Sequence, residues 1–185
     1  MDSTIAEDPQ RSNDFSYEDD PDGARVPLGA HIRRANPRDA QGFGGLLSNR
    51  RRIYRRGMPY GAWTPFDQPA DDEGDHGLIF VALNASFERQ FEFVMQEWMN
   101  DGNNFQQGED KDILVGCHDG SGKSVVPAGE GQPENTPPYL CVGLPRFVDM
   151  KGGDYFFLPG VNALRLIAGG AARTQTARKT DKDTS

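Results

Sequence analysis

The stretch from residue 77 to residue 100 constrains the fold more than any other. Gly77–Asn84, GLIFVALN, is a short apolar run bounded by turn-forming residues, the signature of a buried strand. Just beyond it Phe87, Phe91, Val94, Met95, Trp98 and Met99 recur at helical spacing, so Phe87–Asn100 reads as a one-faced helix with Ser86 as N-cap. A strand feeding such a helix needs a sheet for the helix to cover. Further strands are expected at Phe147-Val148 and Asp154–Leu158, joined by a Lys151-Gly152-Gly153 turn. A last helix, Val161–Ala168, should turn Leu164 and Ile167 inward and stop at Gly169-Gly170. The order strand, helix, strand hairpin, helix predicts an α+β domain, an antiparallel sheet with helices on one face.

The remaining segments read as connections. Leu28–Ala35 is a short helix or turn, ended by Asn36-Pro37 because the residue before proline is pushed from helical angles. Gln41–Gly45 is a glycine-rich loop, Leu46–Arg56 mixes arginine with apolar residues, and Met58–Gly61 is a turn. Trp63–His76 is an acidic loop, and Gly102–Pro138 is mostly loop. A length of 185 residues with 36% hydrophobic residues suits one domain with a small core and tails. The expected division is an acidic disordered or linker segment over 1–25, a domain over 26–170, and a solvated tail over 171–185. No run of about 18 apolar residues predicts a membrane-spanning helix. The acidic N-terminus lacks the apolar core of a secretory signal, so a cytoplasmic location is the default expectation. Cys117 and Cys141 lack the paired spacing of a zinc or iron–sulfur site and read as two semi-buried thiols.

Charge is distributed unevenly. Residues 1–23 carry eight acids and one base, whereas residues 24–57 carry nine arginines and one acid, Asp39. The whole chain has a net charge of −8, which argues against binding nucleic acid along an entire face. The positive charge is concentrated where a compact anion could be held. At its head stands His31, one of three histidines, with Arg33, Arg34 and Arg38 within seven residues. An imidazole is the usual proximal ligand of haem peroxidases. A guanidinium pairs with a carboxylate, such as a haem propionate, through two parallel hydrogen bonds. On charge alone, a solvated or nucleic-acid-binding face accounts for the same arginines.

The blocks His31-Ile-Arg-Arg-Ala-Asn-Pro-Arg38 and Arg52-Ile-Tyr-Arg-Arg-Gly-Met-Pro-Tyr-Gly61 resemble the C-terminal half of a dye-decolorising (DyP-type) haem peroxidase. Gly77–Phe80, Phe91–Trp98, Asp112–Gly116, Asp119–Gly122 and Phe147–Phe157 resemble that family in the same order, so the likeness spans roughly residues 26–170. It implies one ferredoxin-like half of a two-half fold, with haem b (iron protoporphyrin IX) as cofactor. Carried over by position, His31 corresponds to the proximal iron ligand and Arg55 to the distal arginine that stabilises charge developing on peroxide. Asp112 is the candidate acceptor of the other ring N–H of His31, and Arg33 and Arg38 are candidates for propionate contacts. The implied reaction is reduction of hydrogen peroxide coupled to one-electron oxidation of a bulky organic donor, such as a dye or phenol.

One departure stands out. The family's N-terminal half normally supplies a Gly-x-x-Asp-Gly motif whose aspartate moves the peroxide proton, and only an acidic segment precedes His31 here. Gly116-Cys-His-Asp-Gly120 has the right letters, but its continuation resembles a different, later turn, so Asp119 is not assigned as the distal acid. The chain therefore reads as one half, with an apolar surface for a complementary N-terminal half or a second copy. A truncated haem-binding or partner-binding module without turnover is the alternative reading.

Overall fold

The computed structural model describes residues 8–62, 67–68, 74–129, 131–133 and 135–169. The chain divides into two compact units, Met1–Met150 and Lys151–Ser185. The expected solvated tail lies outside the described residues, as does much of the acidic loop before His76.

In the first unit, helix α1 (His31–Ala35) is followed by a single 3-10 turn, Phe43–Gly45, and helix α2 (Leu46–Asn49). Strand β1 (Tyr54–Tyr60) pairs antiparallel with β2 (Gly77–Leu83), Arg55 facing Ala82 and Pro59 facing Leu78. Two consecutive wide-turned segments, Glu88–Glu92 and Val94–Met99, run through a helical Phe93 and together form α3. A 3-10 turn, Asn103–Phe105, leads through an irregular stretch to β3 (Gly122–Val126), which pairs antiparallel with β4 (Tyr139–Leu144).

The helix at 87–100 forms where its apolar spacing predicts. Ser86 helps to start it: its Oγ accepts the Arg89 N–H at 3.4 Å, while Gln90 Oε1 reaches back to the Ala85 and Ser86 N–H groups. Val94, Trp98, Met99 and Phe105 are its buried core, with Phe93, Met95 and Val115 packed around them. Trp98 stands edge-on to Phe93 and to Phe105, with centroids 5.7 Å and 6.4 Å away.

Several expectations are corrected. Met58–Tyr60 lies within β1 instead of forming a turn; Pro59 is tolerated because β1 is an edge strand, paired among the described residues with β2 alone. The 77–83 strand is present but not buried: Leu78, Ile79, Phe80 and Val81 are all exposed, because a lone two-stranded ribbon covers neither face. Neither Phe147-Val148 nor Asp154–Leu158 is a strand. The second hairpin is β3–β4, inside and just beyond the stretch read as loop. Among the described residues the strands therefore form two separate two-stranded antiparallel sheets. In the second unit, α4 (Val161–Ala168) forms as expected and ends at Gly169, but Leu164 and Ile167 are exposed.

Residues 8–25 also depart from a disordered linker. Tyr17 and Asp20 are buried. Asp39 accepts the Ser16 hydroxyl and the Tyr17 N–H, and Asp20 accepts the N–H groups of Arg25 and Val26. One acid of this segment, Asp20, pairs with an arginine of the next, Arg33, and Arg38 reaches back to Asn13 and Phe15.

Candidate functional site

His31 opens α1, and its Nδ1 lies 3.1 Å and 3.0 Å from the two carboxylate oxygens of Asp112. The Asp112 side chain is fully buried, whereas that of His31 is 37% exposed. Asp112 Oδ1 also accepts the N–H groups of Leu114 and Val115, at 3.0 Å and 2.9 Å. Burial pushes the Asp112 carboxyl up, but the hydrogen bonds from His31, Val115 and Leu114 outweigh it and hold the group below the usual carboxylate range. An ionised carboxylate can only accept, so the proton between the two side chains sits on Nδ1. In the neutral ring Nε2 then keeps its lone pair, and among the described residues it has no partner.

Local structure delivers each member. Asp112 N–H donates to Met99 O at 2.7 Å, tying the loop to the end of α3. The turn after it closes through Gly116 N–H to Asp112 O at 2.9 Å. A Cβ on Gly116 would stand 2.4 Å from that oxygen, so the turn requires glycine. From the other side comes Arg34, three residues after His31 and 1% exposed. Its Nη1 donates to Trp98 O at 3.1 Å and its Nη2 to Asp110 O at 2.7 Å, while the guanidinium lies 5.5 Å from the Phe105 centroid. Burial pulls its pKa down, against the attraction of Asp112, Asp110 and Asp101, and its Nε is buried with no partner. Burying a charge without a contacting carboxylate costs on the order of several kcal/mol.

The other predicted site residues fall elsewhere. Arg33 is buried: its Nη1 donates to Asp20 Oδ2 at 3.1 Å and Val26 O at 2.9 Å, its Nη2 to Asp20 O at 2.8 Å, and its guanidinium lies over the Tyr17 ring. Arg38 donates to Asn13 O, Asn13 Oδ1 and Phe15 O. Both bind the N-terminal segment. Arg51 is likewise committed, to Arg89 O at 2.7 Å and to the face of Phe93. Arg55 is exposed on β1, with no side-chain partner among the described residues. Asp119 binds Ser121 within its own turn. His118 is part-buried, its Nε2 3.2 Å from Ile113 O and its Nδ1 accepting the Gly120 N–H at 3.3 Å. A cavity of about 310 Å³ lies near Arg25, Pro27 and Tyr139, and His31 is not among its walls.

Among the described residues no group of three or more His, Cys, Asp or Glu could cage a bare metal ion. The donor set instead fits a metal that brings most of its own ligands and takes one imidazole from the protein. Arg34 and Asp20 are the buried charges the sequence did not flag. For Asp20 the signal was an acidic block beside an arginine-rich one; Arg34, bound to Trp98 O and Asp110 O, had none.

Residues 7–111 match the family model described as "Dyp-type peroxidase, C-terminal". The dye-decolorizing peroxidase msp1 of Mycetinis scorodonius is 31% identical over 177 residues, covering 90% of this chain and 34% of that protein. The multifunctional dye peroxidase DyP2 of an Amycolatopsis species is 36% identical over 171 residues, covering 84% and 35%. Among solved structures, the DyP-type peroxidase of Anabaena aligns with a TM-score of 0.58 at 28% identity, over 71% of this chain and 28% of that one. A dye-decolorizing peroxidase of Auricularia auricula-judae aligns with a TM-score of 0.60 at 26% identity, over 79% and 35%. These likenesses agree with an α+β, ferredoxin-like half. The chain spans about a third of the length of the curated relatives it matches.

Proposed function

This chain belongs to the DyP-type peroxidase family, and from that premise we propose that it is the haem-ligating half of a peroxidase that oxidises a bulky organic donor with hydrogen peroxide. The observation that carries the proposal is the His31–Asp112 pair, a ring whose Nδ1 proton is held by a buried carboxylate and whose Nε2 is bare.

Haem b, when bound, would supply the redox metal at which peroxide reacts. His31 Nε2 would be its protein ligand. Asp112 fixes the tautomer and ring orientation, and its charge strengthens the imidazole as a donor. Arg55 has no side-chain partner among the described residues, and its guanidinium would steady negative charge on the peroxide oxygens. With Arg33 and Arg38 committed, anionic arms of a cofactor would fall to exposed arginines without side-chain partners among the described residues, such as Arg50 and Arg52. No residue of this chain is assigned to carry the peroxide proton. Loss of such a group typically costs about 10² to 10⁴ in rate, so proton transfer would come from a complementary segment or from water.

A binding module without turnover is the second reading, favoured by the exposed apolar residues of β1 and β2, a surface a second copy or a complementary N-terminal half would cover. Haemin titration followed by peroxide and dye separates the two. Stoichiometric haemin uptake with dye bleaching supports the peroxidase, uptake without bleaching supports a haem-binding module, and no uptake overturns the peroxidase and leaves a module that binds only a partner.

A further inference from the structure

We propose that Arg34 is a positioning residue, a buried clamp that holds the Asp112 loop against α1 and so sets which ring nitrogen of His31 carries the proton. Arg34 and His31 share one short helix, and their side chains reach the same loop at two points. Arg34 takes Asp110 O, two residues before Asp112, at 2.7 Å, while His31 takes Asp112 itself. Its other arm takes Trp98 O at 3.1 Å, next to Met99 O, the acceptor of the Asp112 N–H. The guanidinium thus ties three pieces together: the His31 helix, the end of α3, and the residue that leads into the carboxylate.

Chemistry favours this role over simple packing. A methionine or leucine of similar length would fill the space beside Phe105 without burying a charge. Arginine alone offers two donors on a rigid fork for two carbonyls. The neighbouring Arg33 is equally buried but faces away, into Asp20 and Val26. That makes it a control for stability alone.

For haem the inference rests on the reading of His31 as ligand, so the test begins without haem. The chain is labelled with 15N-histidine and the His31 tautomer is read by long-range proton–nitrogen NMR at pH 8.5, above the ordinary imidazole range. The native chain should show the Nδ1–H form. Arg34→Met should shift it to a mixture and weaken haemin binding by about 10- to 100-fold, the range seen when partners of metal ligands are removed. Arg34→Lys keeps the charge but reaches only one carbonyl; it should fall between, and it decides the matter if Arg34→Met does not fold. Arg33→Met should lower the melting temperature yet leave the tautomer unchanged. A folded Arg34→Lys or Arg34→Met chain with the native tautomer overturns the proposal, whatever its melting temperature. A native chain that takes up no haemin, alongside shifted tautomers in the Arg34 variants, removes the ligand reading and leaves the clamp standing.

Discussion

Replacing Asp112 by asparagine separates what the carboxylate does for the fold from what it does for His31. Both backbone donors, Leu114 and Val115 N–H, converge on Oδ1, at 3.0 Å and 2.9 Å. An amide oxygen there keeps both bonds and leaves an NH2 where Oδ2 stood, 3.0 Å from His31 Nδ1. The NH2 can donate to Nδ1 only when the ring proton sits on Nε2, the nitrogen meant for a metal, whereas the amide oxygen, 3.1 Å from Nδ1, still accepts an Nδ1 proton, so the single tautomer held by the carboxylate gives way to a mixture. Folding loses the difference between a charge-assisted and a neutral hydrogen bond, about 1 kcal/mol. Haemin affinity should fall by about 10- to 100-fold, equivalent to about 1.4–2.7 kcal/mol. Asp112→Ala is the blunter change: it strands two backbone donors at about 1–3 kcal/mol each and should destabilise the chain outright. Urea denaturation and haemin titration by absorbance give both numbers. An Asp112→Asn chain that binds haemin as the native chain does would refute the role given to the carboxylate.

Other consequences follow from the packing. Arg33→Met leaves Asp20 buried and unpaired and should cost about 3–5 kcal/mol, read as a drop in the calorimetric melting temperature. Trp98→Ala empties the centre of the α3 core and should cost about 3–5 kcal/mol in urea denaturation. Asp39 is pushed up by burial but held below its ordinary value of 3.8 by the Ser16 hydroxyl and backbone N–H groups, chiefly that of Tyr17. The contribution of this depressed group is therefore complete above about pH 4 and disappears as pH falls through the folded value. Melting temperatures from pH 2 to 6 should show that loss in the native chain and a flatter profile in Asp39→Asn.

How much of this was legible in the sequence depends on what each element advertises. The 87–100 helix announces itself through six apolar residues on one face, and Ser86 marks its start. Strand β1 does not, because Arg55, Arg56 and Pro59 break the apolar alternation. Strand β3, GKSVV, has too few apolar residues to stand out from the glycines and acids around it. The 77–83 run was legible as a strand, but burial depends on what covers it, which no local pattern reports. The His31–Asp112 contact joins residues 81 apart and was reached through family resemblance, not spacing. Arg33 and Arg38 show that a charge in a sequence does not say whether its partner is a cofactor or the chain's own oxygens.

The central claim is that His31 Nε2 binds a porphyrin iron, and the absorption spectrum of the chain titrated with haemin tests it most directly. The native chain should develop a saturating Soret band at one haemin per chain, His31→Ala should lose it, and added imidazole should restore part of it. A His31→Ala chain with the native spectrum and stoichiometry would contradict the account.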